Sequence, residues 1–161
     1  MNARSGLLVS ALCILSATCS NAQKEGKATM DIIYVCHYHI FKPYIEYKID
    51  LKNKTFWTYS VAESGKPRNE ADKNKGYDFV GYLDDGKITA FLSDAAKNGF
   101  TDWEKEYINP DIDGGRQWSI SITFDDGSVK IIQGSNQYPK QWNEMDLAFQ
   151  HLTGKDNILE K

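Results

Sequence analysis

Cysteine is scarce in this chain. Three occur in 161 residues, and two of them, Cys13 and Cys19, fall in an N-terminal stretch that reads as a removable leader. A disulfide framework is therefore excluded as the source of stability, which must come from packing. Basic charge is not in excess either: 19 Lys and Arg face 22 Asp and Glu, a formal net charge of −3. Gripping nucleic acid through its phosphates needs the opposite balance, and no block of like charges supplies it, so a nucleic-acid partner is excluded. No apolar run is long enough for a membrane-spanning helix. Internal repeats and low-complexity tracts are missing. So are a Gly-x-Ser-x-Gly nucleophile elbow and any other catalytic or cofactor signature.

What is present begins with an export pattern. Met1 to Ser5 carries Arg4 as its one charge, Gly6 to Ala17 is apolar, and small residues follow at Ser20 and Ala22. This predicts a signal peptide over 1–22, cleaved after Ala22, and a periplasmic or secreted product. Lipid attachment at Cys19, giving an outer-membrane lipoprotein, is the competing route. A lipoprotein box places Leu and a small residue where this chain has Ser16 and Thr18, so cleavage fits better. Loss of Arg4 makes the formal charge one unit more negative and leaves Cys36 as the single thiol. Residues 23–30 read as a polar tether and 31–161 as one domain; the full chain, 41% apolar and 25% charged, has an ordinary globular composition.

Within that domain the periodicity changes character twice. Asp31 to Ile40 has the β-branched and aromatic composition of a strand. From Tyr44 to Leu51 the alternation is strict, with Ile45, Tyr47, Ile49 and Leu51 on a dry face and Glu46, Lys48 and Asp50 on a wet one. A three-residue loop, Lys52 to Lys54, then sets Trp57 opposite Ile49 and Tyr59 opposite Tyr47. Ser64 to Gly76 is almost free of apolar residues and reads as a mobile connection, with a recognition loop as the alternative. A short strand over about Tyr77–Leu83 precedes a helix over about Asp85–Asn98, capped by Asp84 or Asp85, carrying Ile88, Phe91, Leu92 and Ala95 on one stripe and stopped by Gly99. Trp118, Ile120, Ile122 and Phe124 alternate with polar residues up to Asp126-Gly127, a two-residue turn that pairs Phe124 with Val129 and Ile122 with Ile131. A last helix, about Lys140–Thr153, carries Trp142, Met145, Phe149 and Leu152 on one stripe, with Pro139 in its first turn and Gly154 closing it. The expectation is an α+β fold: two layers, an antiparallel sheet of about five to six strands, two helices on one face.

The segment WSISITFDDGSVKIIQGSNQYPKQW, Trp118 to Trp142, resembles small exported bacterial proteins and lipoproteins of unknown function. In these a Trp-led strand, an Asp-Gly turn and a Gly-Ser-Asn-x-Tyr-Pro loop precede a C-terminal helix. The matching positions are Trp118, Asp126, Gly127, Gly134, Ser135, Asn136, Tyr138 and Pro139, and the similarity runs from about Tyr77 to Gly154. The resemblance implies the architecture; it implies no activity and no cofactor, and no catalytic residue carries over.

Three constellations are candidates for chemistry. Gly134, Ser135, Asn136 and Tyr138 lead from a strand into a helix, where free backbone N–H groups can hold an anion or carboxylate. The structural reading of the same residues is an unusual backbone angle at Gly134, a cap from Ser135 or Asn136 and packing by Tyr138. His37 and His39 share one face of a strand at a spacing that metal sites use; a third ligand has to come from His151 or a carboxylate. A solvent-facing pair on an edge strand explains the same residues and is the preferred reading, with Cys36 turned to the core beside Tyr34 and Tyr38. Asn109, Asp111, Asp113 and Gly114 imitate the opening of a calcium loop, but its twelfth position is Ile120, inside a strand. The leading expectation is a non-catalytic binding module of the bacterial envelope that takes a protein, peptide or small ligand. The alternative is a metal-binding protein or enzyme built on His37 and His39.

Overall fold

The computed structural model describes residues 28–39, 42–61 and 76–161. The leader, with its cleavage and lipidation sites, the tether up to residue 27 and residues 64–75 of the polar connection lie outside the described residues. Seven strands form one sheet: β1 (Met30–His39), β2 (Lys42–Asp50), β3 (Thr55–Val61), β4 (Asp78–Tyr82), β5 (Glu106–Ile108), β6 (Arg116–Phe124) and β7 (Val129–Ser135). Two helices, α1 (Asp85–Lys97) and α2 (Trp142–Thr153), and a 3-10 turn at Phe100–Asp102 complete the described elements. The spatial order is β4-β3-β2-β1-β6-β7-β5.

The fold is α+β, with both helices on one face of the sheet. It is wider than expected, and mixed. β5 is three residues long with only Tyr107 turned inward, too short to leave a periodic signal, and it runs parallel to β7. Met30, assigned to the tether, opens β1: it pairs with Phe124 and is buried.

β1 is the middle strand, hydrogen-bonded to β2 on one side and β6 on the other. Ile33, Val35 and His37 lie opposite Ile122, Ile120 and Trp118, on the helix-covered side. Alternation then sends Cys36, opposite Ser119, to the uncovered side, not to the core as expected. Ile33, Val35, Ile49, Phe56, Ile120, Ile122 and Ile132 floor the core, and Phe91, Ala95, Met145, Phe149 and Leu152 of the helices roof it. Phe91 and Phe149 join the helices at a ring separation of 4.9 Å. Each of these side chains except that of Ala95 contributes about 1.5–3 kcal/mol by leaving water.

The helices end where their caps dictate. The Asp84 carboxylate accepts from the N–H groups of Gly86 and Lys87 at 2.9 and 3.1 Å, satisfying donors that the first turn leaves open. Gly99 and Gly154 take left-handed angles after α1 and α2, with φ of 60° and 72°. Pro139 stands before α2 and not within its first turn; its carbonyl accepts from the Trp142 N–H at 3.2 Å.

Both hairpins differ by one residue from the register expected of them. Between β2 and β3 the loop has four residues, Leu51–Lys54, so Ile49 faces Phe56, and Tyr59 faces Glu46. The buried Asp50 carboxylate holds this turn by accepting from the backbone and side-chain N–H groups of Asn53 at 2.8 and 3.0 Å. Phe56 gains the core, and Trp57 and Tyr59 move to the uncovered face. Between β6 and β7 the loop is Asp125–Gly127, three residues. Gly127 N–H donates to Phe124 O, Phe124 N–H donates to Ser128 O, both at 2.9 Å, and Gly127 sits at φ 81°. A turn closed by a left-handed glycine suits the strand twist as well as the two-residue form. Ile122 therefore faces Lys130, and Val129 and Ile131, each 57% exposed, lie on the uncovered face. Lys130 turns inward, donating to the carbonyls of Thr101 and Trp103 at 2.9 and 2.5 Å.

Candidate functional site

With the helices confined to one side, the other side of the sheet is available for contact. It is rich in aromatic residues for a simple reason: β1 is buried by neighbours on both edges, so its outward positions are Tyr34, Cys36 and Tyr38 instead of charged residues. A hollow of about 430 Å³ opens on this face. Tyr38 of β1 and Tyr44 of β2 wall one side, with Cys36 beneath. The opposite side comes from Gln117 and Ser119 of β6 and from Gln133 and Ser135 of β7, and Ile108 of β5 closes the rim. The pairs are set by register: Tyr38 lies opposite Gln117, Cys36 opposite Ser119, Ser119 opposite Gln133, Gln117 opposite Ser135.

Next to the hollow stands a carboxylate in an unusual setting. Glu46, partly buried, accepts from the Tyr44 hydroxyl at 2.7 Å through one oxygen and from the Tyr77 hydroxyl through the other. Burial, and then the charge of Glu46, raises the pKa of the Cys36 thiol to about 11. The Tyr44 and Tyr77 phenols are likewise held well above their ordinary range, by burial first and then by Cys36 and Glu46 for Tyr44 and by the hydrogen bond to Glu46 for Tyr77. A reactive thiolate needs an electropositive, accessible setting, and this one is the reverse. At neutral pH the thiol and both phenols keep their protons, so the cluster donates hydrogen bonds and does not supply a nucleophile.

The structure divides the four loop candidates. Gly134 and Ser135 line the hollow. Asn136 is committed elsewhere: its side chain accepts from the Arg116 N–H at 3.0 Å and donates to the Gly114 carbonyl at 2.5 Å. Tyr138 stacks on Trp118 with ring planes 13° apart and packs on Trp142 at 4.9 Å. The unusual backbone angle belongs to Asn136, at φ 54°, not to Gly134. Gly134 is required for space: a Cβ there would stand 2.3 Å from the buried Trp118 indole.

The histidine constellation comes apart. His37 is on the central strand and on the helix-covered side, so the solvent-facing edge pair is corrected by the topology. Its Nε2–H donates to the Ile158 carbonyl at 2.5 Å, and burial holds its pKa below the usual 6.5. The side chain of His39 lies outside the described residues, and His151 is exposed on α2. Among the described residues no group of three or more His, Cys, Asp or Glu is placed to hold a metal ion. In the calcium-like loop, Asn109 spends its side-chain oxygen on the Asp111 N–H at 3.1 Å, a local turn.

Sequence reasoning missed Tyr38, Tyr44, Gln117, Ser119 and Gln133 as site residues. For Tyr44, Gln117 and Ser119 the signal was the wet half of an alternation, which marks a face without saying that the face is hollow; Tyr38 and Gln133 were hidden by an unalternating β1 and by the one-residue change of register in β7. No family model, curated protein or solved structure matches this chain. The resemblance carried by Trp118 to Trp142 therefore stands on those residues alone.

Proposed function

We propose that this protein is a non-catalytic binding module of the bacterial envelope, exported by its N-terminal leader, with the hollow on the uncovered sheet face as its binding site. One observation carries the reading: the hollow is lined by groups that donate and accept hydrogen bonds, around a thiol that burial and Glu46 keep protonated. Such a site can hold a ligand in a defined orientation but offers no activated nucleophile to attack it. The leader pattern and the resemblance to small exported bacterial proteins support the compartment, with lipid attachment at Cys19 as the competing anchor. Among the described residues no helix is long and apolar enough to cross a membrane. Against the metal or enzyme alternative stands the commitment of His37 to the Ile158 carbonyl.

Amide NMR of the mature protein against a chemically diverse small-molecule library tests the site. The expected result is shifts concentrated at Ser119, Gln133 and Ser135 with the ligand recovered intact. Chemical conversion of a ligand, or stoichiometric zinc lost on replacing His37, would overturn the proposal. Mass spectrometry of the exported N-terminus tests the compartment: a start at Gln23 is expected, a lipidated Cys19 marks the competing route, and a retained Met1 sinks export.

A further inference from the structure

We infer that the hollow takes a neutral, hydroxyl-rich ligand, a saccharide of one or two rings; this rests on the binding-module reading and gives it a ligand class. Size is the first argument. A volume of about 430 Å³ lies at the lower end of the roughly 300–1,000 Å³ of small-molecule sites, enough for a compact ligand and too little for a folded partner.

Chemistry is the second. The described lining residues include no formally charged side chain: two carboxamides, Gln117 and Gln133, and two hydroxyls, Ser119 and Ser135, supply the polar contacts. Each of these groups both donates and accepts. A sugar hydroxyl does the same, so every contact can be made in either direction. A carboxylate or phosphate ligand would leave water for a lining with no cation to meet it, and an unpaired buried charge is strongly penalised. Glu46 sharpens the choice. Its negative charge beside the hollow repels anions, and with both its oxygens accepting from Tyr44 and Tyr77 a ligand meets it across those hydroxyls and not through a direct ion pair.

Shape is the third. The Tyr44 hydroxyl is spent on Glu46, so what Tyr44 presents to the hollow is its ring, and Tyr38, 36% exposed, stands with it on the same wall. An aromatic face with polar groups across from it matches a pyranose, whose C–H faces are apolar and whose equatorial rim is hydroxylated. The hollow also lies on the face of the sheet, spanning β2, β1, β6 and β7, so an extended peptide adding a strand at an edge would not fill it.

Thermal unfolding of the mature protein with millimolar N-acetylglucosamine, chitobiose, maltose or cellobiose tests the inference. Matched panels of amino acids, short peptides and phosphate esters serve as the contrasting arm. At a saccharide concentration ten times Kd, Tm should rise by about 3–6 °C. That rise should vanish in Tyr38→Ala and in Gln117→Glu, both at exposed positions, and persist in Val129→Thr on the same face outside the hollow. Insoluble glycan co-sedimentation, run in parallel, distinguishes a free sugar from a unit of a polymer. Charged compounds or peptides binding in place of sugars would overturn the saccharide assignment and leave the binding module standing. If no arm shifts Tm and no amide of the hollow moves with any library compound, both fall.

Discussion

Gly134 shows how a single side chain's absence organises this site. It lies between Gln133 and Ser135, which face the hollow, and its own side-chain direction points to the core, where the Trp118 indole occupies the space. Trp118 in turn donates through Nε1 to the Gln137 carbonyl at 3.0 Å and is boxed in by Tyr107, Tyr138 and Trp142. An indole so held cannot swing aside. Gly134→Ala should therefore lower stability by about 1–3 kcal/mol, as overpacking does, measurable as a lower urea midpoint at unchanged slope. A neutral result would mean that the aromatic box is looser than these contacts describe. The sequence marked Gly134 but for the wrong reason, because a glycine kept for clearance and one kept for a left-handed angle look alike until the facing residue is known.

At the scale of elements, the helices were the most legible part of the chain. Asp84, Gly99 and Gly154 are local signals whose chemistry acts within one turn, and the stripes from Ile88 to Ala95 and from Trp142 to Leu152 repeat with the helical period. Asp84→Ala removes the acceptor for two N–H groups at the start of α1 and should cost about 0.5–2 kcal/mol, with Asp84→Asn recovering most of it; chemical denaturation followed by circular dichroism checks both. The strands were legible in kind and illegible in register. Asp126-Gly127 is compatible with a two-residue and a three-residue loop, and the alternative chosen depends on whether Ile131 or Ile132 reaches the core, which the facing helix decides. β1 was harder still. Its run from Ile32 to His37 is apolar or aromatic at nearly every position, since both edges are paired and its uncovered side carries Tyr34 and Cys36, so no alternation revealed that His37 points inward and Cys36 outward. The hollow inherits that ambiguity, being defined by register across four strands.

For the whole molecule, the C-terminal segment is the fastening. Ile158 and Leu159 are fully buried; the Leu159 carbonyl accepts from Trp142 Nε1 at 2.7 Å, its N–H donates to Asp146 Oδ1 at 2.8 Å, and Glu160 pairs with Arg116 at 3.1 Å. Truncation after Asn157 empties two core positions at once and should destabilise the domain by at least about 4 kcal/mol, seen as a large drop in Tm or loss of a cooperative transition. The same segment confers a pH response. Burial lowers the His37 pKa, with the hydrogen bond to the Ile158 carbonyl, Glu160 and Asp146 opposing that shift and Arg116 reinforcing it. Between the folded value and 6.5 the unfolded chain binds the extra proton, so stability is complete above about pH 6.5 and declines as pH falls through that window. Urea midpoints taken from about pH 7.5 down to about pH 5 should fall, and His37→Gln, which keeps a donor for the Ile158 carbonyl, should flatten that part of the profile. The place of β1 has a consequence for how the molecule assembles. Its partner β2 follows immediately, but Ile33 meets Ile122 only after most of the chain has been made. Until then β1 to β3 form a meander whose β1 edge is bare, open to mispairing with any other strand. Topology of this kind predicts a speed of folding set by the late capture of β6 against β1, not by the quick local hairpins.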